Sequence, residues 1–369
     1  MADTKRSRRR VDRILDEWRR SQIVRLVGRS QHYAAVPADL LSTDRWQELL
    51  SLSENQPFLL VSARRAAVLK VKAGGERAVG IAVGRDRSAA TLIAIADPER
   101  DLATPMKGPF ETITFGEDQA LFDDALTCMK RISRLPALLL LPLNGAECVP
   151  EIDFLLSASH EDVNIYLTSA TPVEEVVRAH VPLAASPNTQ LAIFRGQQNG
   201  TDHLAILVGD VARAAGRGDP ILTRLHSECL TGDLLGSLKC DCGDQLRGAL
   251  AALSEEGVGV LMYLAQEGRG IGLTNKMRAY SLQDQGFDTV EANLRLGFDD
   301  DERDFKIAAE ILKTLGVNRI KLMTNNPQKV EVLQAHGIEI TERVEHKFAA
   351  NPHNELYLQI KKEKSGHFL

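Results

Sequence analysis

Three cysteines lie close enough along the chain to bind one metal ion. Cys240 and Cys242 are separated by a single residue, Cys229 precedes them, and no cysteine follows them. Thiolates are good zinc ligands, so the spacing predicts either a catalytic site whose fourth position holds water or a structural site completed by His226. In a catalytic site, zinc lowers the pKa of its water to about 7. Buried thiols without a metal are the third alternative.

A glycine-rich segment, residues 266–272, follows a predicted buried strand at 258–264. Its G-x-G spacing would let backbone amides approach phosphate oxygens, and Arg269 could add a forked contact. The third glycine of the dinucleotide-binding fingerprint is missing from this segment. An ordinary turn between strand and helix is therefore the default interpretation of the segment taken alone.

Two other segments carry charged or amide side chains just before predicted helices. Residues 324–329 follow a predicted strand, so a hydroxyl, amides and Lys329 could face one anion, although a capped helix with an exposed lysine explains them too. In the acidic run 298–304, Asp301 is the predicted N-cap of the next helix. Arg303 would then lie in the first helical turn, where a cation is unfavourable, which makes it a candidate ligand-binding residue.

Composition excludes several classes of protein. The net charge of −5 with both signs intermixed does not favour a nucleic-acid partner, and five cysteines in 369 residues are not a disulfide framework. The apolar stretch 135–143 contains two prolines and is shorter than the ~20 residues of a membrane span. The basic N-terminus lacks the apolar core of a signal peptide and is predicted to begin a solvated helix, with a nucleic-acid arm as the alternative. We therefore expect a cytoplasmic protein without a membrane partner.

The order of predicted elements indicates an α/β fold. Residues 173–177 are predicted as the last helix of the first half, and residues 182–188 as a linker. Strands and helices alternate in the second half. The predicted strands are 191–194, 204–208, 221–225, 258–264 and 320–323. The predicted helices are 244–256, 275–285, 305–315 and one that starts at Asn326–Pro327 and closes at Gly337.

The residues around these features, taken together, resemble GTP cyclohydrolase II over about residues 189–369. The matching segments are 224–233, 237–243, 266–273, 275–280, 283–286, 288–293, 301–305, 322–327, 354–357 and 366–367. The resemblance implies a mixed-sheet catalytic domain at 184–369. This sequence departs from the family pattern at Lys239, where arginine is common, and at Thr274, where leucine is common.

The resemblance implies opening of the imidazole ring of GTP in the first committed step of riboflavin biosynthesis. The products would be formate, pyrophosphate and 2,5-diamino-6-(5-phospho-D-ribosylamino)pyrimidin-4(3H)-one. It implies a catalytic Zn2+ on the three cysteines, one per subunit, Mg2+ with the GTP phosphates, and a homodimer. The GTP contacts it implies are Arg224, Leu225, His226, Ser227, Glu228, Gln245, Glu267, Gly268, Arg269, Thr289, Thr324 and Lys329.

Three further residues receive catalytic roles from the resemblance. Arg303 would attack the α-phosphorus, Asp301 would act as its general base, and Tyr280 would take part in the ring chemistry. Two alternatives are a paralogue that halts at a formylated product and a GTP-binding regulatory module without activity. Tyr280 argues against the first alternative, and the three residues together argue against the second.

Residues 1–183 weakly resemble 3,4-dihydroxy-2-butanone 4-phosphate synthase, an α+β domain. The matching segments are 16–20, 23–27, 60–66 and 131–136. The synthase needs an acidic loop after its first strand to bind magnesium, but residues 28–33 contain no carboxylate. We therefore expect this domain to be inactive as a synthase and to serve as a scaffold, dimerisation element or regulatory domain, with His32 and Tyr33 on its surface.

Overall fold

The computed structural model describes residues 2–143, 150–169, 172–196, 200–349, 351–352, 354–355 and 359. The chain forms two compact units. The N-terminal unit contains residues 1–170 together with 274–302, and the cysteine unit contains residues 171–273 and 303–369. The segment 274–302 thus belongs to the N-terminal unit, although residues of the cysteine unit flank it on both sides.

Fourteen strands lie within the described residues. In chain order they are β1 (Val24–Val27), β2 (His32–Pro37), β3 (Phe58–Ser62), β4 (Ala78–Ala82), β5 (Thr112–Ile113), β6 (Ala137–Pro142), β7 (Ser157–Ser159), β8 (Val173–His180), β9 (Thr189–Gly196), β10 (Asp202–Val208), β11 (Ile221–Ser227), β12 (Gly259–Leu264), β13 (Arg319–Met323) and β14 (Glu339–Val344).

Twelve α-helices accompany these strands in the described part of the chain. They are α1 (Ala2–Arg19), α2 (Thr43–Ser51), α3 (Ala63–Val68), α4 (Ala89–Ala96), α5 (Gln119–Arg131), α6 (His160–Thr168), α7 (Val211–Gly216), α8 (Cys242–Glu256), α9 (Gly272–Asp284), α10 (Thr289–Leu296), α11 (Lys306–Thr314) and α12 (Pro327–Ala335). None of the helices in these described residues has both the length and the apolar character needed to cross a bilayer.

The N-terminal unit is built on a seven-stranded mixed sheet in the order β5-β4-β3-β6-β2-β1-β7. Its strands are nearly continuous apolar runs, such as the leucines of β6, because both faces of the sheet are buried. One face packs against a core that includes Trp18 and Phe122, and the other against a core that includes Trp46. The predicted helix at the basic N-terminus is confirmed as α1.

The cysteine unit contains a second seven-stranded mixed sheet, in the order β14-β13-β11-β12-β10-β9-β8. The neighbours β13, β11 and β12 run parallel to one another, whereas β12 and β10 are antiparallel. Parallel strands bring their carboxyl ends to one edge of a sheet, where ligands commonly bind. The glycine-rich segment and residues 324–329 follow two of these strands, and Cys229 follows the third. The predicted α/β class is confirmed.

Two sequence predictions are wrong in ways that have a clear physical cause. Residues 173–177 form strand β8 instead of a helix, because their β-branched valines pair with β9 in an antiparallel ladder. Asp301 is not an N-cap, because helix α11 begins only at Lys306. The Lys306 amide donates a hydrogen bond to Asp304 at 2.9 Å. Arg303 likewise lies before the first helical turn and not within it.

The surface position predicted for Tyr33 is also wrong. Tyr33 is buried and packs edge-on against Phe122, since its neighbour His32 takes the exposed face of β2. The tyrosine hydroxyl donates to Asp118 at 2.9 Å, and the same carboxylate accepts from the Arg29 amide at 2.6 Å. A carboxylate therefore does contact this loop, supplied from a distant part of the chain.

Candidate metal and substrate site

The three cysteines converge beside the carboxyl end of β11. Cys229 follows this strand, a π-helical turn spans Leu230–Leu234, and Cys242 is the first residue of α8. The three Sγ atoms lie within 4.8 Å of one another, and those of Cys229 and Cys240 are 3.8 Å apart. Two thiolates bound tetrahedrally to one zinc at ~2.3 Å would be about 3.8 Å apart. The thiol positions therefore fit zinc.

Gly232 makes room for this cluster. A Cβ atom at Gly232 would lie 2.8 Å from the Cys240 Sγ and 3.1 Å from the Cys229 Sγ. These separations are shorter than any normal carbon–sulfur contact, so a side chain would push the thiols apart. The π-helical turn consequently depends on a glycine at this position.

We expect Gly232→Ala to weaken zinc binding by about 10-fold or more, the size of effect seen when the support of metal ligands is altered. Competition with a chromogenic chelator measures the affinity. Gly216→Ala is the matched control, because a Cβ atom there meets no atom within 4 Å. Unchanged zinc affinity in Gly232→Ala would show that the thiols can accommodate the methyl group.

Asp233 links the cysteine turn to two aromatic side chains. Its Oδ2 accepts hydrogen bonds from the Cys229 amide at 3.0 Å and from the Tyr263 hydroxyl at 2.9 Å. The Nε2 atom of His226 lies 3.1 Å from Oδ1, and its ring stacks on that of Tyr263. Sequence reasoning missed Asp233, although its position four residues after Cys229 is the spacing of one helical turn.

The carboxylate of Asp233 orients the imidazole ring of His226. Burial lowers the pKa of His226 although the hydrogen bond to Asp233 acts in the opposite direction, so the ring is neutral at neutral pH. An ionised carboxylate only accepts hydrogen bonds, so Nε2 carries the proton and Nδ1 is an acceptor. Nδ1 is buried and has no hydrogen-bond partner among the described residues. Within those residues, the group of closely spaced metal-ligand atoms comprises the three cysteines and does not include His226.

Arg224 is a buried cation at the same edge of the sheet. Burial lowers its pKa to about 10, which still leaves it charged at neutral pH. Its guanidinium donates to the Met323 carbonyl at 3.0 Å and to the Gln245 side chain at 2.5 Å. Its Nε is buried without a hydrogen-bond partner in the part of the chain that the structure describes. A guanidinium held in this way suits an oxygen-rich ligand.

Gln245 is held on both sides, which fixes its contact with Arg224. Its amide group donates to Asp241 at 2.5 Å. The Nε2 atom of His346 lies 2.8 Å from the Gln245 backbone carbonyl. Burial and the nearby positive charge of Arg224 lower the pKa of His346 to about 4. The neutral imidazole therefore donates this bond, and His346 adds no positive charge beside Arg224.

Lys329 and Arg303 both lie close to one aromatic ring, that of Phe305. The Lys329 Nζ is 5.3 Å from the centre of the Phe305 ring, and the Arg303 Cζ is 5.0 Å from it. Lys329 is buried and donates to the Leu225 carbonyl at 2.8 Å. Arg303 reaches the Ser227 hydroxyl at 3.5 Å. With Arg224, the end of β11 thus carries three cations.

The glycine-rich segment is tied to the cysteine turn through Glu267. The carboxylate of Glu267 accepts from the Leu230 amide at 2.7 Å and from the Gly268 amide at 3.0 Å. Gly268 and Arg269 both have left-handed backbone conformations, with φ near +60°. Such a conformation at a residue other than glycine costs about 1 kcal/mol and is concentrated at functional sites.

The remaining predicted site residues divide between the units. Thr324 is buried in the cysteine unit, where its Oγ1 accepts from the Asn326 amide at 3.0 Å, and the Glu228 amide donates to the Leu264 carbonyl at 2.8 Å. Tyr280, Thr289 and Asp301 belong to the N-terminal unit. Residues 356–357 and 366–367 of the resemblance lie outside the described residues.

The comparisons with known proteins agree with the sequence resemblance. A family model described as GTP cyclohydrolase II matches residues 174–345. A GTP cyclohydrolase-2 from Azospirillum brasilense is 43% identical over 366 residues, which cover 97% of this chain and 94% of that protein. A GTP cyclohydrolase-2 from Escherichia coli is 56% identical over 176 residues, covering 48% of this chain and 88% of that protein.

Solved structures resemble the chain only distantly. A two-domain 3,4-dihydroxy-2-butanone 4-phosphate synthase from A. baumannii aligns with 92% of this chain and 99% of its own, at 14% identity and a TM-score of 0.32. A 3,4-dihydroxy-2-butanone 4-phosphate synthase of Candida albicans covers 43% of this chain and 97% of its own, at 11% identity and a TM-score of 0.33. The Azospirillum brasilense relative is 43% identical to this chain over nearly the whole length of the chain. The chain therefore belongs to the GTP cyclohydrolase II family of hydrolases.

Proposed function

We propose that this protein is a zinc-dependent GTP cyclohydrolase II acting in riboflavin biosynthesis. It would hydrolyse GTP to 2,5-diamino-6-(5-phospho-D-ribosylamino)pyrimidin-4(3H)-one and release formate and pyrophosphate. The observation that carries this proposal is the placement of three thiols at zinc-ligand spacing beside buried cations at one edge of a sheet. The family assignment supports the same activity.

Cys229, Cys240 and Cys242 would hold the zinc. Contact with Cys229 and with Cys240, together with burial, raises the pKa of the Cys242 thiol, so the cluster resists ionisation unless a cation offsets the crowded negative charge. When bound, zinc supplies a water whose pKa is lowered to about 7, a nucleophile suited to the electron-poor carbon of a purine ring at neutral pH. Asp233 accepts a hydrogen bond from the Cys229 amide and so stabilises the turn that carries the first cysteine.

The cations at the end of β11 would bind the triphosphate. Arg224 and Lys329 are buried and pre-positioned by backbone carbonyls, so binding a phosphate requires little further loss of side-chain freedom. Mg2+ would accompany the GTP phosphates. The other proposed GTP contacts are Leu225, His226, Ser227, Glu228, Gln245, Glu267, Gly268, Arg269, Thr289 and Thr324.

Arg303 is the proposed nucleophile that attacks the α-phosphorus and displaces pyrophosphate. A guanidinium is normally a cation and a poor nucleophile, so it needs a base to take its proton, and Asp301 is proposed for that role. Contact with Ser227 and with the Phe305 ring restricts the orientation of the guanidinium. Tyr280 is proposed to act in the ring chemistry and to favour complete turnover over a formylated product.

Two further aspects of the proposal rest on the family and on the thiols. We propose a homodimer with one zinc per subunit. A cytoplasmic location follows from the need to keep the zinc-binding thiols reduced. The domain boundary after residue 183 and the lack of synthase activity in the first domain stay predictions.

Incubation of the zinc-loaded protein with GTP tests the proposal. We expect loss of the GTP absorbance together with release of formate and pyrophosphate in equal amounts. Mass analysis of the pyrimidine product separates the proposed enzyme from a paralogue that retains the formyl group. Binding of GTP without formate release would leave a regulatory module as the explanation and would defeat the proposal.

A further inference from the structure

The segment 274–302 is built into the N-terminal unit through contacts near its start, middle and end. It consists of α9, α10 and the residues that lead to Asp301 and Glu302. Helix α10 packs against α3 of the same unit. Leu296 and Phe298, at the end of α10 and just beyond it, are fully buried. The segment is therefore a structural part of this unit rather than a surface loop.

Gly297 allows an especially close approach. It ends α10 in a left-handed conformation with φ +91°. A Cβ atom there would lie 2.6 Å from the Ser62 Oγ and 2.8 Å from the Pro136 Cγ. The segment thus fits against both β3 and the start of β6 with no space for a side chain.

A buried polar network fixes helix α9. The Asn275 side chain is fully buried and donates to the Ser133 carbonyl at 2.9 Å. Arg278 donates to Asn275 at 2.8 Å and to Asp97 at 2.9 Å, and the side chains of Arg278 and Asp97 are only 11% and 7% exposed. Buried charges tolerate little change in geometry, because a displaced partner leaves an uncompensated charge. This network therefore sets the position and rotation of α9.

A second set of charged contacts fixes the end of the segment. Lys130, on α5, donates to Glu302 at 2.6 Å and to Asp299 at 3.2 Å. Glu302 also accepts from the Asp299 amide at 2.7 Å, which closes the turn. Asp301 lies within this turn, between Asp299 and Glu302 in the sequence.

We propose that the N-terminal unit positions part of the catalytic machinery, with Asp97 and Lys130 as positioning residues. This inference rests on the proposed function, which gives Tyr280, Thr289 and Asp301 their roles. Asp97 acts through Arg278 on α9, which carries Tyr280, and Lys130 acts through Glu302 on the turn that carries Asp301. A domain without synthase activity would then be retained because it holds these groups in place. Apolar packing alone would bury α10 but would not orient both ends of the segment.

The test compares Lys130→Gln and Asp97→Asn with the wild type in the full, zinc-loaded chain. Loss of either contact should lower kcat by about 10-fold and leave KM for GTP within about 3-fold, because small misplacements of reacting groups slow the chemical step. Zinc content should stay at one per chain. Amide exchange should become faster within residues 274–302. Lys130→Arg, which keeps the charge, should recover most of kcat.

Arg10→Gln is the matched control. Arg10 pairs with Asp162 at 2.8 Å, and both residues belong to the stretch 1–170 of the same unit. Loss of that pair should leave kcat and the exchange rates of 274–302 unchanged.

Three results would overturn the proposal: unchanged exchange in both variants, faster exchange with an unchanged kcat, or an equal fall in kcat for Arg10→Gln. Absence of formate release from the wild type would defeat the proposed function instead. In that case faster amide exchange in the variants would still support the positioning of residues 274–302 by Asp97 and Lys130, and unchanged exchange would overturn it.

Discussion

The Cys229→Ser variant should purify without zinc and release formate from GTP at least ~10³-fold more slowly than the wild type, because the ring-opening step depends on the metal. Cys229 is buried, and its Sγ is 3.8 Å from that of Cys240, so its loss removes one of the three proposed zinc ligands. Serine is a poor zinc ligand at neutral pH because its hydroxyl stays protonated. Metal analysis and formate release, measured on the same preparation, check both effects.

Cys128→Ser separates loss of the metal from general destabilisation. Cys128 lies on α5 in the N-terminal unit and is buried, so its replacement places a hydroxyl in an apolar core without touching the cluster. We expect this control to keep its zinc and its activity. Retention of both zinc and activity by Cys229→Ser would contradict the assignment of the three thiols.

Arg303→Ala should still bind GTP but release pyrophosphate at least ~10²-fold more slowly, the loss expected when a catalytic group is removed. The affinity for GTP should fall by no more than about 10-fold, since Arg224 and Lys329 still provide positive charge at the same edge. Separate measurement of formate and pyrophosphate is essential, because the two bonds break at different places in GTP. Rapid-quench analysis of both products gives the two rates.

Arg303→Lys distinguishes a nucleophile from an electrostatic contact. Lysine keeps the charge, but its shorter side chain does not bring the amine to the position of the guanidinium nitrogens, so a nucleophilic role predicts that it fails to restore pyrophosphate release. Arg217→Ala is the control for arginine loss, because Arg217 is exposed and pairs with its near neighbour Asp219. Wild-type pyrophosphate release from Arg303→Ala would remove Arg303 from the assigned role.

Local signals in the sequence predict most of the cysteine unit. Helix α8 ends at Gly257 and α12 begins at Asn326–Pro327, as the capping residues indicate. The apolar run before the glycine-rich segment forms β12. Each of these elements is determined by neighbours within a few residues, which is why a single sequence is sufficient to place them.

Long-range pairing accounts for what the sequence could not supply. The valines of β8 become a strand only because β9 is available to pair with them. Asp118 reaches the loop at Arg29 across 89 positions of the chain, and Asn275 reaches Ser133 across 142. No periodicity or turn signal encodes such contacts. The placement of 274–302 in the N-terminal unit therefore emerges only from the structure.

The central claim is that GTP ring opening depends on zinc held by the three thiols. Its most direct test is to remove the metal with a chelator, restore zinc in measured steps, and quantify bound zinc and formate release in each sample. We predict that formate release rises in proportion to bound zinc and reaches its maximum at one zinc per chain. Full formate release from metal-free protein would contradict the account.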